Sequence, residues 1–144
     1  MDLSKDGFAQ AAAFAVGLTY LLIGVVGFTV TGFGGFVQDG PDKLIGLDLN
    51  PFHNVFHMVA GAYLMLISQF GRAATEGALI GGGAVYLVAV FLGVTDNLQI
   101  LSMNGVGNFD NVLHLASGVS AVTIGLASVA ANRDIDQRGE PITG

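Results

Sequence analysis

Residues 10–31 read QAAAFAVGLTYLLIGVVGFTVT, an apolar run without a charged side chain. Crossing the hydrocarbon core of a bilayer takes roughly 20 largely apolar residues in a helix. The run is long enough, so it predicts a transmembrane helix. Three further charge-free runs follow it, and the chain as a whole predicts four transmembrane helices, at about residues 10–31, 52–70, 76–95 and 110–131.

The composition of the 144-residue chain also favours a membrane protein. Its residues are 52% hydrophobic and 11% charged, whereas soluble domains carry about 25% charged residues. With a net charge of −6 and five Lys and Arg residues, the chain lacks the basic surface that binds the phosphates of nucleic acids. This excludes a nucleic-acid partner. The absence of cysteine excludes disulfides and thiolate metal sites. We therefore expect one membrane domain over residues 1–144, with the lipid bilayer as its main partner.

The basic residues predict the orientation of the chain. Lys5, Arg72, Arg133 and Arg138 fall on the side shared by both termini, and only Lys43 falls on the other side. Basic residues accumulate on the cytoplasmic side of membrane proteins. The pattern predicts a multi-pass protein of the cell inner (plasma) membrane with both termini in the cytoplasm.

The connections between the predicted helices differ in length. Residues 71–75 form a tight turn in which Thr75 is a candidate N-cap. The outer segments, 32–50 and 96–109, are rich in Gly, Asn and Asp, and are expected to form short re-entrant or surface-lying pieces. The tail, residues 132–144, is expected to be frayed.

The chain contains an internal match. GLTYL at 17–21 recurs as GAVYL at 83–87, and HNVFH at 53–57 recurs as DNVLH at 110–114. Chance similarity between Gly- and Leu-rich helices is the alternative to a repeat. The match favours an all-α fold, an integral membrane four-helix bundle made of two duplicated transmembrane hairpins. Because each hairpin has two spans, the copies form a parallel repeat with a pseudo-twofold axis along the membrane normal.

Small residues recur at helical spacing in three of the predicted helices. Such ladders let helix backbones approach closely in lipid, within a bundle or between copies of a chain. They predict close helix packing, and they leave a homo-oligomer or another membrane-protein partner open. The ladders are Ala9, Ala13 and Gly17; Gly77 and Gly81; and Ser117, Ala121 and Gly125.

The chain's three histidines lie near the outer ends of the second and fourth predicted helices. His53 and His57 are one turn apart on one helix face, and the matching face of the fourth helix carries Asp110 and His114. If the two helices are diagonal partners, these four side chains converge. Imidazole and carboxylate are common ligands of divalent metals, so the four residues are a candidate metal site.

Several functions fit this polar set. In the first, Asn50, Asn54 and Asn111 form a structural polar cluster with the imidazoles, and the protein is structural or accessory. In the second, the set binds a divalent metal in a redox or sensing module. A haem between His57 and His114, and an ion-conduction path, are less favoured alternatives.

Catalysis is not indicated by the remaining residues. A carboxylate-bridged di-iron centre draws four Glu and two His from its bundle, and this core offers one carboxylate. Serine hydrolysis is excluded because the histidines have no suitable serine nearby. Tyr20 and Tyr86 are expected to lie away from the histidines, because side chains on oppositely directed helices lean apart. Glu76 and Asp96 are expected to be solvated helix ends.

Three motifs resemble a known family. TGFGGF at 31–36, LNPFHNVFH at 49–57 and DNVLH at 110–114 are similar to the prokaryotic membrane family labelled domain of unknown function 4383. The resemblance covers about residues 9–130. It implies a protein of this size with four spans, and it implies no activity.

Overall fold

The chain folds into two helical hairpins that form one bundle. The computed structural model describes residues 7–39 and 43–137. Within each hairpin the two helices pack closely along their length, and the hairpins touch each other more sparsely. The predicted all-α four-helix bundle is confirmed. Its helices are α1 (Phe8–Thr31), α2 (Pro51–Ile67), α3 (Arg72–Val94) and α4 (Phe109–Gln137).

The two long connections lie at one end of the bundle, which we call the loop end. The connection between α1 and α2 contains a β-hairpin of β1 (Lys43–Leu44) and β2 (Leu47–Asp48). The connection between α3 and α4 contains a 3₁₀ helix (Gln99–Leu101). The opposite end, which carries the tight connection at Gly71, is the turn end. The β-hairpin was not expected from the sequence, and its turn depends on positive φ angles of 53° at Ile45 and 86° at Gly46.

The helix ends differ from the predicted ones at the turn end. α2 stops at Ile67, three residues early, where the Ser68 hydroxyl donates to the carbonyl oxygen of Met65 at 2.7 Å. Gly71 then turns the chain with a φ of 100°. Because α3 begins directly after Gly71, Thr75 lies inside its first turn and is not the N-cap.

The predicted frayed tail is partly helical. α4 continues to Gln137, so residues 132–137 extend the helix. The remainder of that tail, residues 138–144, lies outside the described residues, as does Lys5.

Three helical stretches are long and apolar enough to cross a membrane: Phe8–Thr31, Arg72–Val94 and Phe109–Arg133. The expected fourth span is too short by this measure. The 17 residues of α2 extend about 26 Å at 1.5 Å per residue, against a hydrocarbon thickness of about 30 Å.

The distribution of side chains is that of a protein in an apolar solvent. Large apolar residues such as Leu22, Val59 and Phe91 are exposed on the helix surfaces, while His53 and Asp110 are completely buried. In a bilayer, polar side chains turn inward because the surrounding hydrocarbon offers them no partner. The surface therefore suits lipid.

Glycines set the distance between the two helices of each hairpin. A Cβ atom on Gly17 would lie 2.7 Å from the carbonyl oxygen of Gly61, and one on Gly83 would lie 2.7 Å from the carbonyl oxygen of Gly118. Real Cβ atoms do not approach backbone this closely, so both crossings require glycine. The matched residues of the two hairpins thus make matched contacts.

The predicted small-residue ladders behave differently from one another. Ala9, Ala13 and Gly17 are buried in the bundle, as expected. Gly77 and Gly81 have nothing within 4 Å of an added Cβ in the described chain. Of the two uses that the sequence leaves open for this ladder, close packing inside the bundle does not occur among the described residues.

The turn end contains a buried carboxylate. Glu76 is only 8% exposed, so its expected solvation is wrong, whereas Asp96 is exposed as predicted. Glu76 Oε1 accepts hydrogen bonds from Ser128 Oγ at 2.7 Å and from Asn132 Nδ2 at 2.6 Å. Arg72 in turn donates to Asn132 Oδ1. These bonds, rather than water, satisfy the carboxylate and join α3 to α4.

Candidate metal centre

The three histidines meet inside the bundle near the loop end. Asn50 starts α2 by accepting the backbone N–H of His53 at its Oδ1 (2.8 Å), and Pro51 occupies the first turn. This start sets the rotation of α2, so that His53 and His57 face the bundle axis one turn apart. His114, on α4, reaches the same point. We call His53, His57 and His114 the His cluster.

The His cluster is compact enough to hold a metal ion. One ligand atom from each histidine can be chosen so that all three lie within 4.8 Å of one another. The ring centroids are 4.3 Å apart for His53 and His57, 5.7 Å for His53 and His114, and 5.8 Å for His57 and His114. Nitrogens that share one tetrahedral zinc ion lie about 3.3 Å apart, given bond lengths of about 2.0 Å. The ligand atoms would have to approach one another by up to about 1.5 Å to share such an ion.

Backbone carbonyls fix the tautomer of two rings. Nδ1 of His53 lies 3.2 Å from the carbonyl oxygen of Asp48, and Nδ1 of His114 lies 2.7 Å from that of Asp110. A carbonyl oxygen only accepts, so in each ring Nδ1 carries the hydrogen and Nε2 presents a lone pair. Metal-bound histidines are usually oriented by such a bond from their other nitrogen.

Three ring nitrogens of the His cluster have no hydrogen-bond partner in the described chain. Nε2 of His53 and both ring nitrogens of His57 are buried without a hydrogen bond. Buried polar atoms are rarely left unsatisfied, because each costs about 1–3 kcal/mol. A neutral His57 ring has one N–H and one lone pair, so His53 Nε2 and one nitrogen of His57 are the unpartnered acceptors that a cation could use.

Asp110 lies beside the His cluster but is not part of that ligand group. Its Oδ2 accepts the backbone N–H of Asp48 at 2.7 Å, while its Oδ1 is buried without a partner in the described residues. The carboxylate therefore holds β2 against α4. Its backbone carbonyl, and not its side chain, serves His114.

The predicted asparagine cluster is dispersed. Asn54 Nδ2 donates to Thr31 Oγ1 at 2.8 Å, and Asn111 Nδ2 donates to the carbonyl oxygen of Gly105 at 2.9 Å. A Cβ on Gly27 would collide with the first amide, and one on Gly93 with the second. Each asparagine thus fixes one hairpin near the loop end.

Tyr20 and Tyr86 contact the His cluster, so their expected separation from it is wrong. The Tyr20 ring lies 5.2 Å from the His57 ring, and Tyr86 stacks on His114 at 5.0 Å. The two tyrosine rings lie 5.5 Å apart, edge to face. Side chains on oppositely directed helices do point toward opposite ends of the bundle, but a tyrosine side chain is long enough to span the resulting difference in depth.

The family described as a domain of unknown function (DUF4383) matches residues 10–127. The chain belongs to this family. The resemblance seen in the sequence is thereby confirmed, and the matched range of DUF4383 contains every residue of the His cluster together with both tyrosines. No curated protein and no solved structure matches the chain.

The two tyrosines are the site residues that sequence reasoning misplaced. Their signal was the internal match, in which Tyr20 and Tyr86 occupy the same position of GLTYL and GAVYL. Corresponding positions on the inward faces of two hairpins meet near the bundle axis when the hairpins face each other, as Tyr20 and Tyr86 do.

Proposed function

We propose that the protein is a multi-pass membrane protein that binds one transition-metal ion through His53, His57 and His114. A single observation carries the proposal: three buried imidazoles from two helices can each place a ring nitrogen within 4.8 Å of the other two, and three of their ring nitrogens have no hydrogen-bond partner in the described chain. Sites of three neutral imidazoles suit Zn, Cu, Fe and Ni better than Ca or Mg.

The number of ligands indicates the kind of site. Structural zinc sites are closed by four protein ligands, whereas three protein ligands leave a position for water or substrate. The His cluster has three members, and Asp110 is engaged with Asp48. We therefore expect a metal centre that binds an exogenous ligand, rather than a purely structural metal site.

The structural polar cluster, in which asparagine and aspartate side chains bond helix ends and imidazoles and so form a hydrogen-bonded lock, is the second candidate. Asn50 caps α2 and Asp110 binds the backbone of Asp48, but no hydrogen bond among the described residues joins an imidazole of the cluster to another side chain. The haem alternative needs a flat macrocycle between the rings of His57 and His114. The ring of His53 stands beside both of them, where the macrocycle would have to lie.

The membrane arrangement is part of the proposal. All four helices would cross the bilayer, with α2 completed by the residues up to Gly71 and with the His cluster in the outer leaflet. Arg72 and Arg133 stand at the turn end of the bundle, which favours the cytoplasm for that end. The matched crossings at Gly61 and Gly118 support a duplicated hairpin.

Elemental mass spectrometry tests the metal centre. Protein purified without a His-tag in mild detergent should carry about one transition-metal ion per chain, and His57→Ala and His114→Ala should each reduce it at least tenfold. Asp110→Asn is the matched control, because it keeps an acceptor for the Asp48 N–H and should retain the metal. A chelator should lower the melting temperature of the unmodified protein, since a bound ion stabilises the fold by mass action.

Two outcomes would contradict the proposal. Background metal in the unmodified protein, before and after incubation with Zn²⁺ or Cu²⁺, would reject the centre. If the histidine variants then melted at lower temperature, the lock would be the better explanation. Equal loss of metal in Asp110→Asn would instead restore a four-ligand site.

A further inference from the structure

A crevice between α1 and α4 reaches the His cluster from the side of the bundle. It encloses a volume of about 350 Å³. Ala15 and Thr19 of α1 are exposed at its rim, Ser117 lines its α4 wall, and His57 and His114 lie in its depth. The hairpins touch only sparsely here, which leaves the gap open.

A second cavity of about 350 Å³ adjoins the crevice between the four helices. The two share Val16, Tyr20 and Ser117 in their walls. All three tyrosines of the chain, Tyr20, Tyr63 and Tyr86, line this second cavity. The chain therefore has a laterally open space with aromatic walls, and that space ends at two imidazoles.

The chemistry of this space selects a class of ligand. Ligand pockets combine apolar walls with a few convergent polar groups that set orientation. Here the apolar wall residues are mostly alanine and leucine, and the polar groups are hydroxyls and imidazoles. The crevice opens between two helices with apolar outer surfaces, so its ligand would arrive from the bilayer and not from water. The flat faces of tyrosine rings favour a planar ring.

We propose that the crevice admits a bilayer-soluble molecule with a flat ring that carries oxygen, of the phenol or quinone class. The ring lies beside Tyr20, and its oxygen reaches the position that the three histidines leave open on the metal. This inference rests on the proposed metal centre and adds the ligand class and its route of entry.

Intrinsic fluorescence offers a direct test, because the chain has no tryptophan and its three tyrosines all line the cavity. Menadione is the probe, and naphthalene is the control ring without oxygen. Titration of the metal-loaded protein with menadione should give saturable quenching, with at least tenfold weaker apparent affinity for naphthalene. Nonspecific quenching in the detergent micelle should be linear in the probe and equal in every variant.

Blocking variants locate the route of entry. Ala15→Phe and Thr19→Phe each place a ring at the rim of the crevice, and each should weaken menadione binding at least tenfold without changing the metal content. Ala84→Phe is the matched control, because Ala84 is exposed on α3 and lines neither cavity. Equal saturable quenching in all three variants would overturn the lateral route, and equal affinity for naphthalene would overturn the role of oxygen.

The same samples separate this inference from the metal centre. With Cu²⁺ bound, menadione should change the electron paramagnetic resonance spectrum of the ion, and Ala15→Phe should abolish that change. Full metal content without any saturable quenching would reject the ligand and leave the metal centre standing. Saturable quenching of equal affinity in metal-free and metal-loaded protein would reject the metal–oxygen contact, while the metal content decides the metal centre separately.

Discussion

Replacing Gly61 by leucine should prevent the first hairpin from packing, and we expect no folded protein to be recovered in detergent. A Cβ atom on Gly61 would lie 2.5 Å from both the carbonyl oxygen of Gly17 and the backbone nitrogen of Leu21. These are backbone atoms, so no rotamer change relieves the collision, and α1 and α2 must separate. Separation forfeits the close backbone contact that drives helix association in lipid.

A graded series makes this prediction quantitative. Gly61→Ala should cost about 1–3 kcal/mol, as overpacking of a tight site does. Gly118→Ala at the matched crossing should cost less, because the added Cβ meets the oxygen of Gly83 at 3.0 Å and otherwise the mobile end of the Leu87 side chain. Thermal unfolding in one detergent, followed by circular dichroism, gives the order.

Gly81→Leu is the control for helix propensity and hydrophobicity. Its Cβ has nothing within 4 Å in the described chain, so the melting temperature should be unchanged or slightly raised. A similar loss of stability in Gly81→Leu and Gly61→Leu would show that the hairpin contact is not what the first variant removes. It would point instead to a partner chain on the face of Gly81.

The helices and the meeting of the histidines were predictable from local patterns. The charge-free runs predicted most helix ends to within a few residues, because a segment that crosses the lipid must be largely apolar. Asn50-Pro51 fixed the start of α2, and the spacing of His53 and His57 then put both on one face. The match of HNVFH with DNVLH predicted that His114 converges with these two histidines.

The parts that local patterns did not indicate depend on contacts between distant segments. Asp110 Oδ2 accepts the backbone N–H of Asp48, 62 residues away, in a turn that the local sequence does not indicate, and the place of Asp110 in the ligand set stays a prediction. Glu76 is buried because Ser128 and Asn132 of the next helix supply donors. A charged side chain near a helix end is expected to be solvated only when no neighbouring helix supplies hydrogen-bond partners for it.

Replacing Asn50 by leucine should unfold the loop end and release the metal with it. Asn50 is 2% exposed, and its side chain ties together several segments. Oδ1 caps α2 at the N–H of His53, while Nδ2 donates to the carbonyl oxygen of Ile100 at 3.0 Å and to Ser102 Oγ at 3.1 Å. Gln38, in the other connection, also accepts from Nδ2, at 3.4 Å.

The expected cost follows from these bonds. A lost N-cap costs about 1 kcal/mol, and each buried acceptor left without a donor costs about 1–3 kcal/mol. The sum, about 3 kcal/mol or more, is large for a small protein. Because His53 follows Asn50 by one turn and His114 belongs to the other hairpin, loosening this tie separates the ligands. Metal content and melting temperature should therefore fall together.

Asn50→Asp separates the two roles of the side chain. An aspartate retains the oxygen that caps α2, but it has no donor for Ile100 or Ser102. We expect it to keep the helix start and to lose most of the tie between the connections, so its melting temperature should lie between those of Asn50→Leu and the unmodified protein. If Asn50→Asp were as stable as the unmodified protein, the cap alone would position the histidines. The contacts of Asn50 with Ile100 and Ser102 in the second connection would then contribute little to the geometry of the His cluster.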